Sequence, residues 1–123
     1  MNQKAEELKA RTRRFLLDVI ARVKTFPMTV DADIIGRQLI QAAAGVAGNY
    51  RSACRARSHA EFTAKIGVVL DEVDESELWL SVVRDVPIDT SQQLERLCQE
   101  AMELCAIFYR SNLTARNQSQ ARQ

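Results

Sequence analysis

The densest group of chemically reactive side chains in this 123-residue sequence is an acidic segment, residues 71–77, that holds five carboxylates. Carboxylates three and four residues apart share one face of a helix, where they could hold a metal ion. Bundles that bind two irons also carry Glu-x-x-His motifs on two helices, and the one histidine here, His59, is not in such a motif. The segment therefore predicts a solvated or interface surface, and we expect no metal site and no cofactor.

Four polar residues recur at helical spacing on either side of a turn near Ser58. They are Gln38, Asn49, Glu72 and Glu75. If the two flanking helices are antiparallel partners, Asn49 and Glu72 lie at similar depth. Because buried polar groups must be paired, we predict a hydrogen-bonded cluster that fixes the helix register or a subunit contact. No nucleophile with an adjacent base is present, so we predict no catalytic residue and no enzyme activity.

The acidic segment and the residues that follow it supply candidates for a subunit interface. They are Asp71, Asp74, Glu75, Leu78 and Trp79. The ring of Trp79 either packs under a neighbouring helix or lies between subunits, where tryptophan is enriched. Both interpretations stay open at this point.

Three arginines near the same turn are candidates for phosphate binding. They are Arg51, Arg55 and Arg57, of which the first two are one helical turn apart. Cations in so small a group are more often solvated or paired with acids than bound to phosphate. The formal net charge of +1 also lacks the bulk basicity of a dedicated nucleic-acid binder. Direct binding of RNA or DNA is therefore the alternative function.

The elements that position these residues are long helices, because the chain has only four glycines and two prolines. Apolar residues recur at spacings of three and four in four segments. These predict helices at about residues 4–25, 30–55, 59–85 and 90–113. Short connections make neighbours antiparallel, so we predict an all-α, up-down-up-down four-helix bundle over residues 1–114. The aperiodic residues 115–123 predict a flexible C-terminal tail.

The middle of the second predicted helix is made of small residues, Ala42 to Gly48. Two interior glycines weaken a helix by about 1 kcal/mol each relative to alanine, so this helix needs a closely packed partner. The pattern Ser58-x-x-Glu61 predicts a capping box at the start of the third helix. Together they predict a tight hairpin of the second and third helices.

Charge is unevenly divided along the chain. Residues 1–57 carry eleven Lys and Arg against five Asp and Glu, whereas residues 58–86 carry two against seven. These charges are either solvated and paired within one bundle or used between subunits. In the second case the acidic helix of one subunit meets the basic helices of the next, and the head-to-tail contact closes into a ring.

The sequence also bears on location. Its start is dense in charge, and no run approaches the roughly 18 apolar residues of a membrane span. Its three cysteines, an odd number, predict buried, reduced thiols. We expect a cytoplasmic protein with no membrane contact.

From Phe26 to Leu80 the chain resembles the bacterial four-helix-bundle family of proteins encoded in 23S rRNA intervening sequences. A distant relative of that family is the accessory protein of diversity-generating retroelements. The matching residues are Pro27, Gln38-Leu39, Asn49-Tyr50, Ser58, Glu61-Phe62, Lys65-Ile66, Glu72, Asp74-Glu75 and Trp79-Leu80, in about half of the chain. The chain departs from the family at Ser52, where a glutamate is frequent, and at Ala44 or Gly45, where a serine is frequent.

The resemblance implies a cytoplasmic homopentamer, a five-fold ring of bundles, without enzymatic activity. It also implies association with nucleic acid or with a nucleic-acid-processing enzyme. The sequence as a whole thus predicts a non-enzymatic, oligomer-forming interaction or scaffold protein whose partners are itself and nucleic acid or another protein. The alternative is a direct RNA- or DNA-binding protein that uses the three arginines.

Overall fold

The computed structural model describes residues 2–121 of the chain. Within that range it has four helices and no strand, as the sequence predicted. The helices are α1 (Gln3–Val23), α2 (Val30–Cys54), α3 (His59–Asp85) and α4 (Gln92–Ala121). The backbones of α1 and α2, α2 and α3, α3 and α4, and α4 and α1 are neighbours, whereas those of the diagonal pairs α1–α3 and α2–α4 lie further apart. Side chains still meet across the core, as the rings of Tyr50 and Phe108 do at 5.3 Å between centroids. The fold is therefore an all-α, antiparallel four-helix bundle.

Side chains of the predicted types cap the helices. The Ser58 hydroxyl accepts a hydrogen bond of 3.0 Å from the Glu61 backbone N–H, and the Glu61 carboxylate accepts one of 3.1 Å from the Arg57 backbone N–H. Thr29 caps α2 and Ser91 caps α4 in the same way. These bonds satisfy N–H groups that a helix start leaves without partners. The predicted capping box at Ser58 is confirmed, with its second bond one residue earlier than in the usual pattern.

The core follows the predicted apolar spacing. Phe15, Leu39, Ile66, Leu80 and Phe108, from all four helices, are among its fully buried side chains. Burial of each such side chain contributes about 1.5–3 kcal/mol to folding. The small buried residues of α2, Ala42, Ala43 and Ala47, let the neighbouring helices approach. The predicted need of α2 for close partners is thereby met inside the bundle.

The C-terminal part of α4 differs from the prediction. A flexible tail was expected from residue 115, but α4 continues to Ala121. Ala115 is buried, and its carbonyl oxygen lies 2.9 Å from Nε2 of His59 at the start of α3. This contact with a distant residue explains why a polar, aperiodic segment stays helical past residue 114. Residues 122 and 123, also assigned to the tail, lie outside the described range.

The seam between α1 and α4 is the least closely packed of the four, and ion pairs cross it. Arg11 donates to both oxygens of Glu100, at 2.8 and 2.7 Å, and to Glu103 at 3.1 Å. Arg22 donates at 2.9 Å to Asp89, which is buried. Burial by itself raises the pKa of Asp89, but the hydrogen bonds from Arg22 and Ser91 outweigh it and hold that pKa below its usual value.

The three cysteines are free, as predicted. Cys98 and Cys105 are half-buried, and burial raises the pKa of both thiols. Cys54 is exposed, so the prediction of burial was wrong for this residue, which lies at the end of α2 where the bundle stops. No helix in residues 2–121 is long and apolar enough to cross a membrane.

Candidate functional site

The outer face of α3 carries most of the predicted interface residues. Asp71, Asp74 and Glu75 are exposed. Leu78, one helical turn after Asp74, is 53% exposed to solvent. Within residues 2–121 none of the acids from Asp71 to Glu77 forms an ion pair. The excess negative charge of this segment is thus not neutralised inside the bundle.

Trp79 is less exposed to solvent than its neighbour Leu78. Its ring is half-buried and packs against the hydrophobic core. Core packing is therefore one role of Trp79. Its additional participation in a subunit contact stays a prediction.

The four predicted cluster residues are only partly brought together. The Glu72 carboxylate of α3 lies over Gly45 of α2, and the Asn49 side-chain amide donates at 2.9 Å to the Gly45 carbonyl oxygen. Gln38 and Glu75 are exposed, and no hydrogen bond joins any two of the four. A hydrogen-bonded cluster was expected here, but it does not form within one chain, because Asn49 is satisfied by a carbonyl one turn earlier in its own helix. A contact of these four residues with a second subunit stays a prediction.

Glu72 is the acid whose charge is least favoured. Burial against α2 raises the pKa of this carboxyl, and the nearby carboxylates Glu75 and Asp71 raise it further. The absence of a side chain at Gly45 makes the space that Glu72 occupies, since a Cβ there would lie 2.6 Å from the carboxyl carbon. Glu72 therefore lies at the edge of the acidic face, with its carboxylate partly covered by α2.

The predicted arginine group lies at the α2–α3 turn. Arg51, Arg55 and Arg57 are exposed, and their guanidinium groups make no ion pair in the described part of the chain. The structure also reveals Arg13 and Arg14 of α1 as exposed cations without an ion pair to any residue from 2 to 121. The sequence analysis did not single these two out, although they lie opposite the apolar stripe of α1.

Shallow grooves follow the helix seams. One of about 470 Å³ lies between α1 and α4, with Phe15 and Leu97 as its apolar part and charges of both signs at its edges. Within residues 2–121 no group of three or more His, Cys, Asp and Glu side chains is arranged to hold a metal ion.

No protein-family model matches the chain, and no curated protein does. Among solved structures, the fold is similar to that of a protein of unknown function from the S23 ribosomal protein family of Bacteroides thetaiotaomicron VPI-5482. The similarity has a TM-score of 0.78, covers 89% of this chain and 98% of that one, and comes with 20% sequence identity. It establishes a shared fold. The resemblance to the 23S rRNA intervening-sequence family and the relation to the retroelement accessory protein stay predictions.

Proposed function

We propose that this protein is a non-enzymatic, self-associating scaffold, in which the outer face of α3 contacts a second copy of the chain. The observation that carries the proposal is the exposed, unpaired acidic segment that contains Asp71, Asp74 and Glu75. A bundle whose charges served only its own stability would pair these acids with its own excess of cations in α1 and α2. Here these acids, and the cations Arg13, Arg14 and Arg51 of α1 and α2, form no ion pair among residues 2–121 and remain open to an outside partner.

The apolar residues among the acids support the same function. Leu78 and Val68 are 53% and 41% exposed on the outer side of α3. Interfaces place apolar side chains at their centre and charges at the rim, where the charges determine orientation and speed of encounter. A face with both kinds of residue suits a specific, salt-sensitive contact.

The family resemblance supports a ring of five subunits and association with nucleic acid or a nucleic-acid-processing protein. The three free cysteines support a cytoplasmic location, because the cytosol keeps thiols reduced. The assembly would act by presenting several identical bundle surfaces to such a partner.

Neutralising the acids tests the proposal. In sedimentation velocity the unaltered chain is expected to sediment as an oligomer, and the variant Asp71→Asn/Asp74→Asn/Glu75→Gln as a single chain. The control Asp31→Asn/Asp33→Asn/Glu95→Gln removes three exposed carboxylates elsewhere and is expected to leave the oligomer intact. An acid-neutralised variant that assembles like the unaltered chain would exclude the acidic face of α3 as the contact.

The second candidate function is direct binding of RNA or DNA, which the exposed and unpaired Arg51, Arg55 and Arg57 favour. It predicts binding of single-stranded RNA or DNA that weakens steeply with salt. Changing all three arginines to glutamine should abolish that binding, whereas Lys24→Gln at the other end of the bundle should not. Absence of binding at low salt would eliminate this function.

A further inference from the structure

The outer face of α1 is basic, whereas the outer face of α3 is acidic. It consists of Ala10, Arg13, Arg14, Leu17 and Ala21, all exposed and spaced by three or four residues apart from the arginine pair. Leu17 is 41% exposed, and no ion pair of the described chain uses Arg13 or Arg14. This face therefore presents two cations around an apolar side chain, with small residues at either end.

The two outer faces point in opposite directions. The backbones of α1 and α3 are close to those of α2 and α4 but not to each other, so the two helices occupy diagonal corners of the bundle. A residue on the outer face of α1 cannot reach the acids of α3 in its own chain. Any pairing of the two faces must join different copies.

The two faces also overlap in level along the bundle. A Cβ on Gly36 of α2 would lie 2.9 Å from Cγ1 of Val23, so these residues are neighbours across the α1–α2 seam. Nine residues back along α1 is Arg14, and nine residues forward along the antiparallel α2 is Gly45. Because Gly45 contacts Glu72, the cations of α1 are level with the acidic segment of α3.

The route through α4 places the cations of α1 further along α3. Arg11 of α1 binds Glu100 and Glu103 of α4, and Cys105 of α4 lies beside Glu77 and Asp74 of α3. Glu100 and Glu103 precede Cys105 by five and two residues, so on the antiparallel α3 the level of Arg11 is about residue 79 and that of Arg14 about residue 82. The two routes thus bracket the level of Arg14 between Glu72 and about residue 82, a span that contains the C-terminal half of the acidic segment and Leu78.

We propose that the outer face of α1 docks in parallel on the outer face of α3 in a second copy of this chain. Arg13 and Arg14 then lie against the acidic segment of the other copy. This inference rests on the proposed self-association and specifies its second surface, which is α1 rather than the arginines at the α2–α3 turn.

Two variants, each damaged on one face, test this inference. The first, Arg13→Glu/Arg14→Glu, keeps an intact α3 face. The second, Val68→Glu/Leu78→Glu, keeps an intact α1 face. Each alone is expected to have the mass of one chain, and an equimolar mixture is expected to form a dimer of one copy of each, because only one native contact remains possible. Val68 and Leu78 are exposed, so unchanged circular dichroism and melting should show that both variants fold.

The control Arg51→Glu/Arg55→Glu makes the same charge change at the α2–α3 turn and is expected to leave the oligomer intact. If the unaltered chain is an oligomer and Arg13→Glu/Arg14→Glu stays one, this inference is wrong while self-association survives. Oligomers of the first variant alone would indicate α3 meeting α3 and would also overturn it. If the unaltered chain is a monomer, the proposed function itself fails.

Discussion

Glu72 of α3 lies directly over the backbone of α2 at Gly45, where a Cβ would come within 2.6 Å of the carboxyl carbon of Glu72. The absence of a side chain at residue 45 thus creates the space for a half-buried carboxylate. Asn49 donates to the carbonyl oxygen of the same glycine. This contact fixes the register of the central hairpin, and with it the level of the acidic segment.

The contact predicts that Gly45→Ala and Glu72→Ala are coupled. In the unaltered chain, Gly45→Ala forces the Glu72 side chain to move and should fail to stabilise the protein. In a Glu72→Ala background the same change should stabilise it by about 1 kcal/mol, the ordinary helix preference for alanine over glycine. Urea unfolding of the four proteins, at one protein concentration, measures the difference.

Gly48 is the matched control, because nothing lies within 4 Å of a Cβ placed there. Gly48→Ala should stabilise the protein by about 1 kcal/mol with or without Glu72. Equal effects of Gly45→Ala in both backgrounds would show that Glu72 does not occupy the space over Gly45.

The raised pKa of Glu72 predicts a pH-dependent gain from Glu72→Gln. A carboxyl whose folded-state pKa lies above its ordinary value of 4.5 favours folding when protonated, and this contribution is lost as pH rises through the folded-state pKa. The glutamine variant should therefore match the unaltered chain near pH 4 and exceed it by about 0.5 kcal/mol near pH 7. A stability difference between the two proteins that decreases from pH 4 to pH 7 would contradict the raised pKa of Glu72.

The buried pair of Arg22 and Asp89 predicts the opposite pH dependence. Because the pKa of Asp89 is held below its ordinary value of 3.8, its contribution is present above that pH and is lost as pH falls through the folded-state pKa. Asp89→Asn should cost about 2 kcal/mol at neutral pH, and the cost should shrink as pH falls below 3.8. Asp33→Asn, which breaks the exposed pair with Arg37, should cost less than about 0.5 kcal/mol.

The end of α4 predicts a sharp boundary for truncation. A chain that ends at Thr114 loses the buried Ala115 and its contact with His59, and should be less stable by about 1–2 kcal/mol. A chain that ends at Asn117 keeps both and should lose less than about 0.5 kcal/mol. Thermal melting compares the two truncated chains. Equal melting temperatures would show that the segment after residue 114 does not stabilise the fold, as expected of a tail.

The helices were predictable because their signals are local. Spacings of three and four placed Ile66, Val69, Val73 and Leu80 on the buried face of α3, and Ser58 and Glu61 marked its start. The end of α4 was not predictable, since His59, which lies against Ala115, is more than fifty residues away in sequence.

The candidate site was predictable as a set of exposed charges but not as an arrangement. The acidic segment is visible in the sequence, whereas its level relative to Arg13 and Arg14 depends on two helix seams and a glycine contact. Within one chain the hydrogen bond of Asn49 goes to its own helix rather than to Gln38, Glu72 or Glu75, which spacing alone does not reveal. The positions of the helices relative to one another along the bundle were therefore the information that the sequence pattern did not contain.

The solution mass of the unaltered chain, measured by light scattering at low and at high salt, tests self-association most directly. At low salt the expected mass is a multiple of the 13.9 kDa of one chain, and it should fall at high salt as the charges of α1 and α3 are screened. A mass of one chain at low salt would contradict the head-to-tail assembly.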